Sequence, residues 1–420
     1  MKNFTDKLEL LSPAGDLEKL ETAGVYGADA AYIGLNGLSL RAPQQLFTGD
    51  YLEKAIEIKK KYNMKLYGAC NMVMRDGDFA TLERGIKEAY EMGIDAVIAS
   101  DLGALCLIKK WCPDLEVHMS TQANILNSVA CNTYYNMGAK RVVLARELTL
   151  EEIATVRANT NPDLDLEAFC HGAMCISYSG RCLLSAYMTG RDSNRGECAQ
   201  PCRWKYKLYE EKRPDYPFTI GGSEHGTYIM NAKDMCMIEH LDKMAKAGIT
   251  SFKIEGRMKT PYYVAVTTNA YRKALDILKQ NPDNYQLPAE VAEEVNKVSH
   301  REYCQGFYFG NPYADGQLVH TSDYVRDYTL VGVVTDYDEK TKRLYIEQRN
   351  KFYRDDILDV LTTEGESVLL TARDLRNPDG EEMESAPHAQ QIVSIYSEKP
   401  FPKNSMLRRK CKWQEDSSNR

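Results

Sequence analysis

The chain of 420 residues contains no run of eighteen apolar residues, and its opening MKNFTDKLEL has no apolar segment ahead of a small-residue cleavage site. That excludes a helical membrane span and an export signal, and predicts a cytoplasmic protein. There is no HExxH and no GxSxG, the spacings that place two imidazoles on a metal or a serine on a nucleophile elbow. No two cysteines form the CxxC pair on which structural zinc sites are usually built, and the CxxxCxxC of radical enzymes is excluded because Lys205 stands where its third cysteine would fall. Positive charge is not in excess either: the net charge is -7, which argues against a surface coated in phosphate contacts. The rest is ordinary for a globular protein, 43% hydrophobic and 27% charged, and long enough for two domains.

What the chain does have is a concentration of cysteine. Six of its 12 cysteines, Cys170, Cys175, Cys182, Cys198, Cys202 and Cys236, fall in one stretch. A reducing compartment makes a disulfide framework the wrong reading and metal the better one. Cys175 and Cys182 have six residues between them, Cys198 and Cys202 form a CxxxC, and Cys236 lies far downstream, a scatter that suits an iron-sulfur cluster at least as well as zinc. The competing reading is that these are buried packing residues. Against it, Gly172, Gly180, Gly190, Gly196 and Pro201 mark loops rather than core elements. Cys236 follows Asn231 and Asp234 at an expected helix start, where a thiol pKa is lowered. Cys170 is expected on a strand in the core, and the remaining cysteines have no assigned role.

Short apolar runs alternate with amphipathic segments over the first 260 or so residues, which predicts repeated βα units. Strands are expected near Leu8–Leu11, Ala30–Gly34, Lys65–Asn71, Ala96–Ser100, Glu116–Ser120, Arg141–Ala145, Leu164–Cys170 and Ser251–Glu255. The phrases VYGADAAYI, EMGIDAVIA, NMGAKRVVL and KAGITSFKI each cap a helix with glycine and start a strand at once, as the αβ turns of a TIM barrel do. The expectation is an α/β, TIM-barrel-like (β/α)8 domain over 1–276, with a cysteine-rich insertion at 172–249 that includes a hairpin around 203–220. A linker and short helix at 277–325 then lead to a small β-barrel-like domain at 326–420, where residues alternate in the strand period. The tail beyond Trp413 is expected to fray.

In such barrels the site lies at the C-terminal strand ends. Ser12, Asn71, Asp101, His118, Ser120, Gln122, Arg146, Glu147, His171, Glu255 and Arg257 all fall there. His171 and Glu255 are candidates for acid and base work, and Arg146 and Arg257 for gripping a carboxylate or phosphate; structural hydrogen bonding is the bland alternative for each. Between Cys170 and Asp215 the basics Arg181, Arg191, Arg195, Arg203, Lys205, Lys207, Lys212 and Arg213 outnumber five acids and are interleaved with Trp204, Tyr206 and Tyr209. Rings among cations suit an unstacked base, with Arg195, Arg203 and Trp204 as the expected contacts. Arg408, Arg409, Lys410 and Lys412 form a second basic run. A solvated charged face is the alternative for both.

Glu167, Phe169, Gly172, Ala173, Met174, Cys175, Tyr178, Ser179, Gly180, Cys182 and Ser185, in EAFCHGAMCISYSGRCLLS, resemble the signature of the peptidase U32, or collagenase-like, family. NRGECAQPCRWKY, SFKIEGRMKTPYYVA and LELLSPAGDLEKLETAGVYGADAAYIGL are similar to it as well, so the resemblance covers nearly the whole chain. It implies oxygen-independent hydroxylation, of tRNA wobble uridine to 5-hydroxyuridine or, in other members, of ribosomal RNA or a quinone precursor. It also implies a [4Fe-4S] cluster, prephenate or a similar small organic acid as hydroxyl donor, tRNA as partner, and in some members a second U32-family subunit. The family ligand pattern falls on Cys175, Cys182, Cys198 and Cys236, with Cys202 as the alternative. A peptidase, and a barrel in which the cluster only braces the insertion, are the competing classes; no protease motif supports the first.

Overall fold

Eight parallel strands close a barrel in sequence order: β1 (Glu9–Pro13), β2 (Ala30–Gly34), β3 (Lys65–Cys70), β4 (Ala96–Ala99), β5 (Glu116–Met119), β6 (Arg141–Val143), β7 (Asp165–Ala173) and, after the insertion, β11 (Ser251–Ile254). β11 seals it by pairing with both neighbours, Phe252 lying opposite Leu10 of β1 and Ala168 of β7. This computed structural model describes residues 7–35, 37–40, 46–204, 206, 208–210, 213–218, 231–318 and 324–411. Lys205, Lys207, Lys212, Lys412, the side chains of Tyr209 and Arg213, and the tail from Trp413 lie outside the described residues.

Strand periodicity sorts the side chains into two layers. Leu10, Ile33, Leu66, Val97, Val117, Val142, Leu166 and Phe252 face the surrounding helices in the main core, while Leu11, Ala30, Tyr32, Tyr67, Ala69, Ala96 and Ile98 form a small core of their own. Asp16, Asp101, Asn127, Thr149 and Thr260 cap helices by accepting backbone N–H bonds, so Asp101 is structural rather than part of a mouth. Gly93, with φ of 95°, ends the helix Phe79–Met92 in the left-handed conformation, and β4 begins three residues on. Among the described residues no helix is long and apolar enough to cross a membrane.

β7 runs on past its barrel neighbours. Its last residues pair antiparallel with β10 (Asp234–Cys236), His171 opposite Cys236 and Ala173 opposite Asp234, and β10 pairs in turn with β12 (Tyr303–Cys304). Cys236 therefore lies on a strand, two residues ahead of the helical turn Ile238–His240 that leads into the helix Leu241–Lys246, rather than at the helix start expected of it. The expected hairpin in the insertion is present as β8 (Leu208–Glu210) and β9 (Arg213–Phe218). The helix Pro261–Gln280 completes the barrel wall, and Ala289–Glu294 is the short linker helix.

The second domain is an antiparallel sheet of β13 (Tyr328–Asp338), β14 (Arg343–Gln348), β16 (Ile357–Leu361), β17 (Ser367–Thr371), β19 (Ile392–Tyr396) and β20 (Met406–Lys410), with β15 (Phe352–Tyr353) pairing β18 (Ser385–Ala386) beside it. Arg408 is fully buried and bound to Glu294 of the linker helix and Asp359, and Arg409 pairs with Asp356. These two arginines brace the sheet; they are not a solvated basic patch.

Candidate active site at the barrel mouth

The floor of the site is a ring of charge inside the barrel. Glu167 is fully buried and takes Lys253 Nζ at 2.8 Å and Arg141 Nη1 at 3.1 Å, while Arg141 also grips Glu9. Burial pushes the Glu167 carboxyl up, but Lys253 and Arg141 outweigh it and hold it at about 2. Lys253 Nζ stands 4.6 Å from the Tyr32 ring centre and 5.4 Å from that of Phe169, so it is sandwiched at the base of the open end.

Above that floor is a cavity of about 150 Å3. Asn71, Ser120, Gln122, Arg146, Glu255 and Arg257, six of the polar strand-end residues expected from sequence, line it together with Lys253. Arg257 is buried and donates to Ser39 Oγ at 2.8 Å. It fits only because Gly34 has no side chain, since a Cβ there would lie 2.7 Å from Arg257 Nη1. Gln122 Oε1 and Arg146 Nε are buried without a hydrogen-bond partner, a costly state unless a ligand or water meets them. Glu255 reaches its place through Gly172, whose φ of 112° and missing Cβ let the Glu255 carbonyl approach; a Cβ would sit 2.5 Å from it.

The insertion roofs this cavity with thiols: Cys175, Cys182, Cys198 and Cys202 all line it. Burial raises the Cys202 thiol, Arg203 lowers it, and Cys175, Cys198 and Cys182 each raise it, so the four would repel one another as thiolates. The backbone N–H of Leu184 points at Cys182 Sγ (3.3 Å) and that of Gln200 at Cys198 Sγ (3.4 Å), the kind of donor that stabilises a metal-bound sulfur. Among the described residues no three His, Cys, Asp or Glu side chains converge on one point closely enough for a single ion. A cluster, which spreads its thiolates over several metals, does not require that, and four thiols on one cavity lining are the type of donor it takes.

The expected ligand Cys236 lies on β10. It is absent from the cavity lining, lies 3.7 Å from the Tyr271 hydroxyl, and burial pushes its thiol up to about 11. His171 shares that environment. It is buried among Tyr263, Tyr271 and Tyr303, takes no part in the cavity wall, and burial depresses its imidazole to about 3. A neutral imidazole sealed behind the barrel is not placed for acid and base work on a ligand in the mouth. His118 and Ser12 also lie away from the cavity wall; His118 packs edge-on to Tyr67, and Ser12 bonds to Thr268 at 2.8 Å.

A second cavity, about 420 Å3, adjoins Cys175, Cys198 and Cys202. It shares Arg146, Cys175, Cys198, Cys202 and Glu255 with the first, so these residues form a common wall, and it adds Arg191, Arg203, Lys259 and Tyr324. The Tyr324 hydroxyl is bonded by Arg203 (3.2 Å) and Arg301 (2.9 Å), and Lys259 Nζ sits 4.8 Å from its ring centre. Lys259 and Tyr324 had no sequence signal; Lys253 had one, since Ser251 and Lys253 alternate on one face of β11. Trp204 is 42% exposed beside this groove's Arg203. Arg195 is not in it, because Asp78 holds its guanidinium.

A closed barrel with thiols lining two cavities at its C-terminal face defines a (β/α)8 protein with an enzyme-like site. The model of peptidase family U32 matches residues 15–318 and that of the peptidase family U32 C-terminal domain matches residues 326–408, and the chain belongs to this family. It is 37% identical over 406 residues to tRNA hydroxylation protein P1 of Bacillus subtilis, covering 97% of this chain and 96% of that protein. It is 35% identical to tRNA hydroxylation protein P of Escherichia coli (91% of this chain, 92% of that one) and 31% identical to a collagenase of Porphyromonas gingivalis (95% and 97%).

Proposed function

We propose that this protein is an RNA hydroxylase acting on tRNA, with the wobble uridine as the base and 5-hydroxyuridine as the product. The observation that carries the reading is the shared lining: Cys175, Cys198 and Cys202 border both a small cationic cavity and a groove lined by Arg146, Arg191, Arg203 and Lys259. The groove suits a phosphate-bearing strand, with Tyr324 and Trp204 as rings on which a base can stack. The inner cavity suits a small organic acid such as prephenate. Arg257, Arg146 and Lys253 supply cations for carboxylates, and the unpartnered Gln122 Oε1 accepts from a hydroxyl.

Cys175, Cys182, Cys198 and Cys202 would hold a [4Fe-4S] cluster, which when bound supplies one-electron redox chemistry. Glu255 is the only carboxylate among the described lining residues of both cavities, so it is the group that holds or accepts a proton there. The peptidase reading has less support: the lining residues described include no histidine, so no thiol in the wall has an imidazole base. Deleting the gene should remove a hydroxylated nucleoside from tRNA, and an unchanged nucleoside profile would overturn the reading.

A further inference from the structure

Between Cys175 and Cys182 the chain makes a turn that its own sequence disfavours. Ser179 is fully buried with φ of 42° and ψ of 34°, the left-handed region that glycine enters freely and other residues resist. Its hold is Glu147, in the turn after β6: Oε1 accepts the Ser179 backbone N–H at 2.5 Å and Oε2 accepts its hydroxyl at 2.6 Å. The next residue, Gly180, is pressed against Gln122, whose Nε2 would be 2.5 Å from a Cβ there. At the far end Cys182 is fixed separately, its carbonyl accepting from Ser193 Oγ at 2.6 Å and Asn194 Nδ2 at 2.9 Å. Glu147 is thus the clamp on the middle of the loop that joins two of the four thiols.

Resting on the reading that these thiols bind a metal cluster, we propose that Glu147 is a positioning residue for it. By holding Ser179 left-handed, it turns Cys175 and Cys182 toward the same cavity and sets the metal affinity of the site. Outer groups that orient ligands in this way are worth about 10–100-fold in metal affinity.

The test is anaerobic reconstitution of the reduced full-length protein with ferrous iron and sulfide, followed by a chelator titration read as loss of the visible absorption, with circular dichroism melts to show that each variant folds. Glu147→Ala should bind about 10–100-fold more weakly than wild type, and Glu147→Gln, which keeps an acceptor for the Ser179 N–H, should fall between them. The decisive variant is the double one. Adding Ser179→Gly to Glu147→Ala should restore most of the affinity, because glycine needs no clamp, whereas a general prop for the fold would not be rescued by one glycine. Wild-type affinity in folded Glu147→Ala, or no rescue by Ser179→Gly, would overturn the proposal and leave the cluster reading standing. A wild-type protein that takes up no iron on reconstitution would overturn both.

Discussion

The Arg195 guanidinium closes on the Asp78 carboxylate through two parallel hydrogen bonds, 2.9 Å from Nη1 to Oδ2 and 3.0 Å from Nη2 to Oδ1. This fork ties the cysteine insertion to the loop after β3 and holds the Asp78 carboxyl below its usual range, chiefly through the hydrogen bond from Arg195. Arg195→Ala should cost about 1 kcal/mol and Asp78→Ala somewhat more, since Asp78 also accepts the Arg75 N–H, and the double variant should fall short of the sum because the fork is lost in both. Additive losses in urea melts would show that the two side chains act independently.

The buried ring at the barrel floor should be far more sensitive. Removing Glu167 as Glu167→Gln leaves Lys253 and Arg141 buried with one carboxylate fewer, at a cost of about 3–5 kcal/mol. A midpoint shift in denaturant worth less than about 1 kcal/mol would mean that water enters the barrel.

Acid should weaken the fold before its carboxylates titrate. His171 is neutral when folded, with its pKa depressed by burial to about 3, and takes a proton near its ordinary value of about 6.5 when unfolded. The unfolded state therefore binds the extra proton, so this contribution is complete above about pH 6.5 and is lost as pH falls toward 3, at up to about 1.4 kcal/mol per pH unit. His118, also lowered by burial, adds in the same direction. Urea melts at pH 7, 6 and 5 should show a shallower decline in His171→Phe than in wild type; identical slopes would exclude His171 as the cause.

Metal loading should divide the cysteines in a way the linear spacing did not. Serine at 175, 182, 198 or 202 should abolish the visible absorption of anaerobically purified protein and lower its iron, while Cys236→Ser, Cys170→Ser and Cys304→Ser should retain both. Loss of iron in Cys236→Ser with retention in Cys202→Ser would return the fourth ligand to the position that the family resemblance implied.

Much of this was legible in the sequence, for identifiable reasons. The barrel strands are short apolar runs that follow glycine-ended helices, as at Gly93, so both ends of each unit carry a local signal. Arg146, Glu255 and Arg257 stood out as polar residues directly after apolar runs. Cys236 carries the local signal of a helix start but lies on a strand. NAKDMCMIEH has the polar-then-apolar look of a helix start, but the overhang of β7 recruits it as a strand, and that pairing spans residues far apart in sequence. Arg195 could not be told from a phosphate contact because its partner, Asp78, lies across the fold.

Binding of tRNA should weaken steeply with salt, and Arg203→Ala or Lys259→Ala should each flatten the slope by about 1. Trp204→Ala should weaken binding at constant slope, because stacking releases no counterions. Arg195→Ala should leave the slope alone, its charge being held by Asp78; a flattened slope in that variant would put it back in the groove.

The most direct measurement is mass spectrometry of tRNA nucleosides from a deletion strain carrying wild-type protein, Arg146→Ala or Cys202→Ser. Arg146 and Cys202 both stand in the wall shared by the two cavities. The account predicts that a uridine heavier by one oxygen disappears on deletion, returns with wild type, and fails to return with either variant. A nucleoside profile unchanged by the deletion, or fully restored by Cys202→Ser, would contradict it.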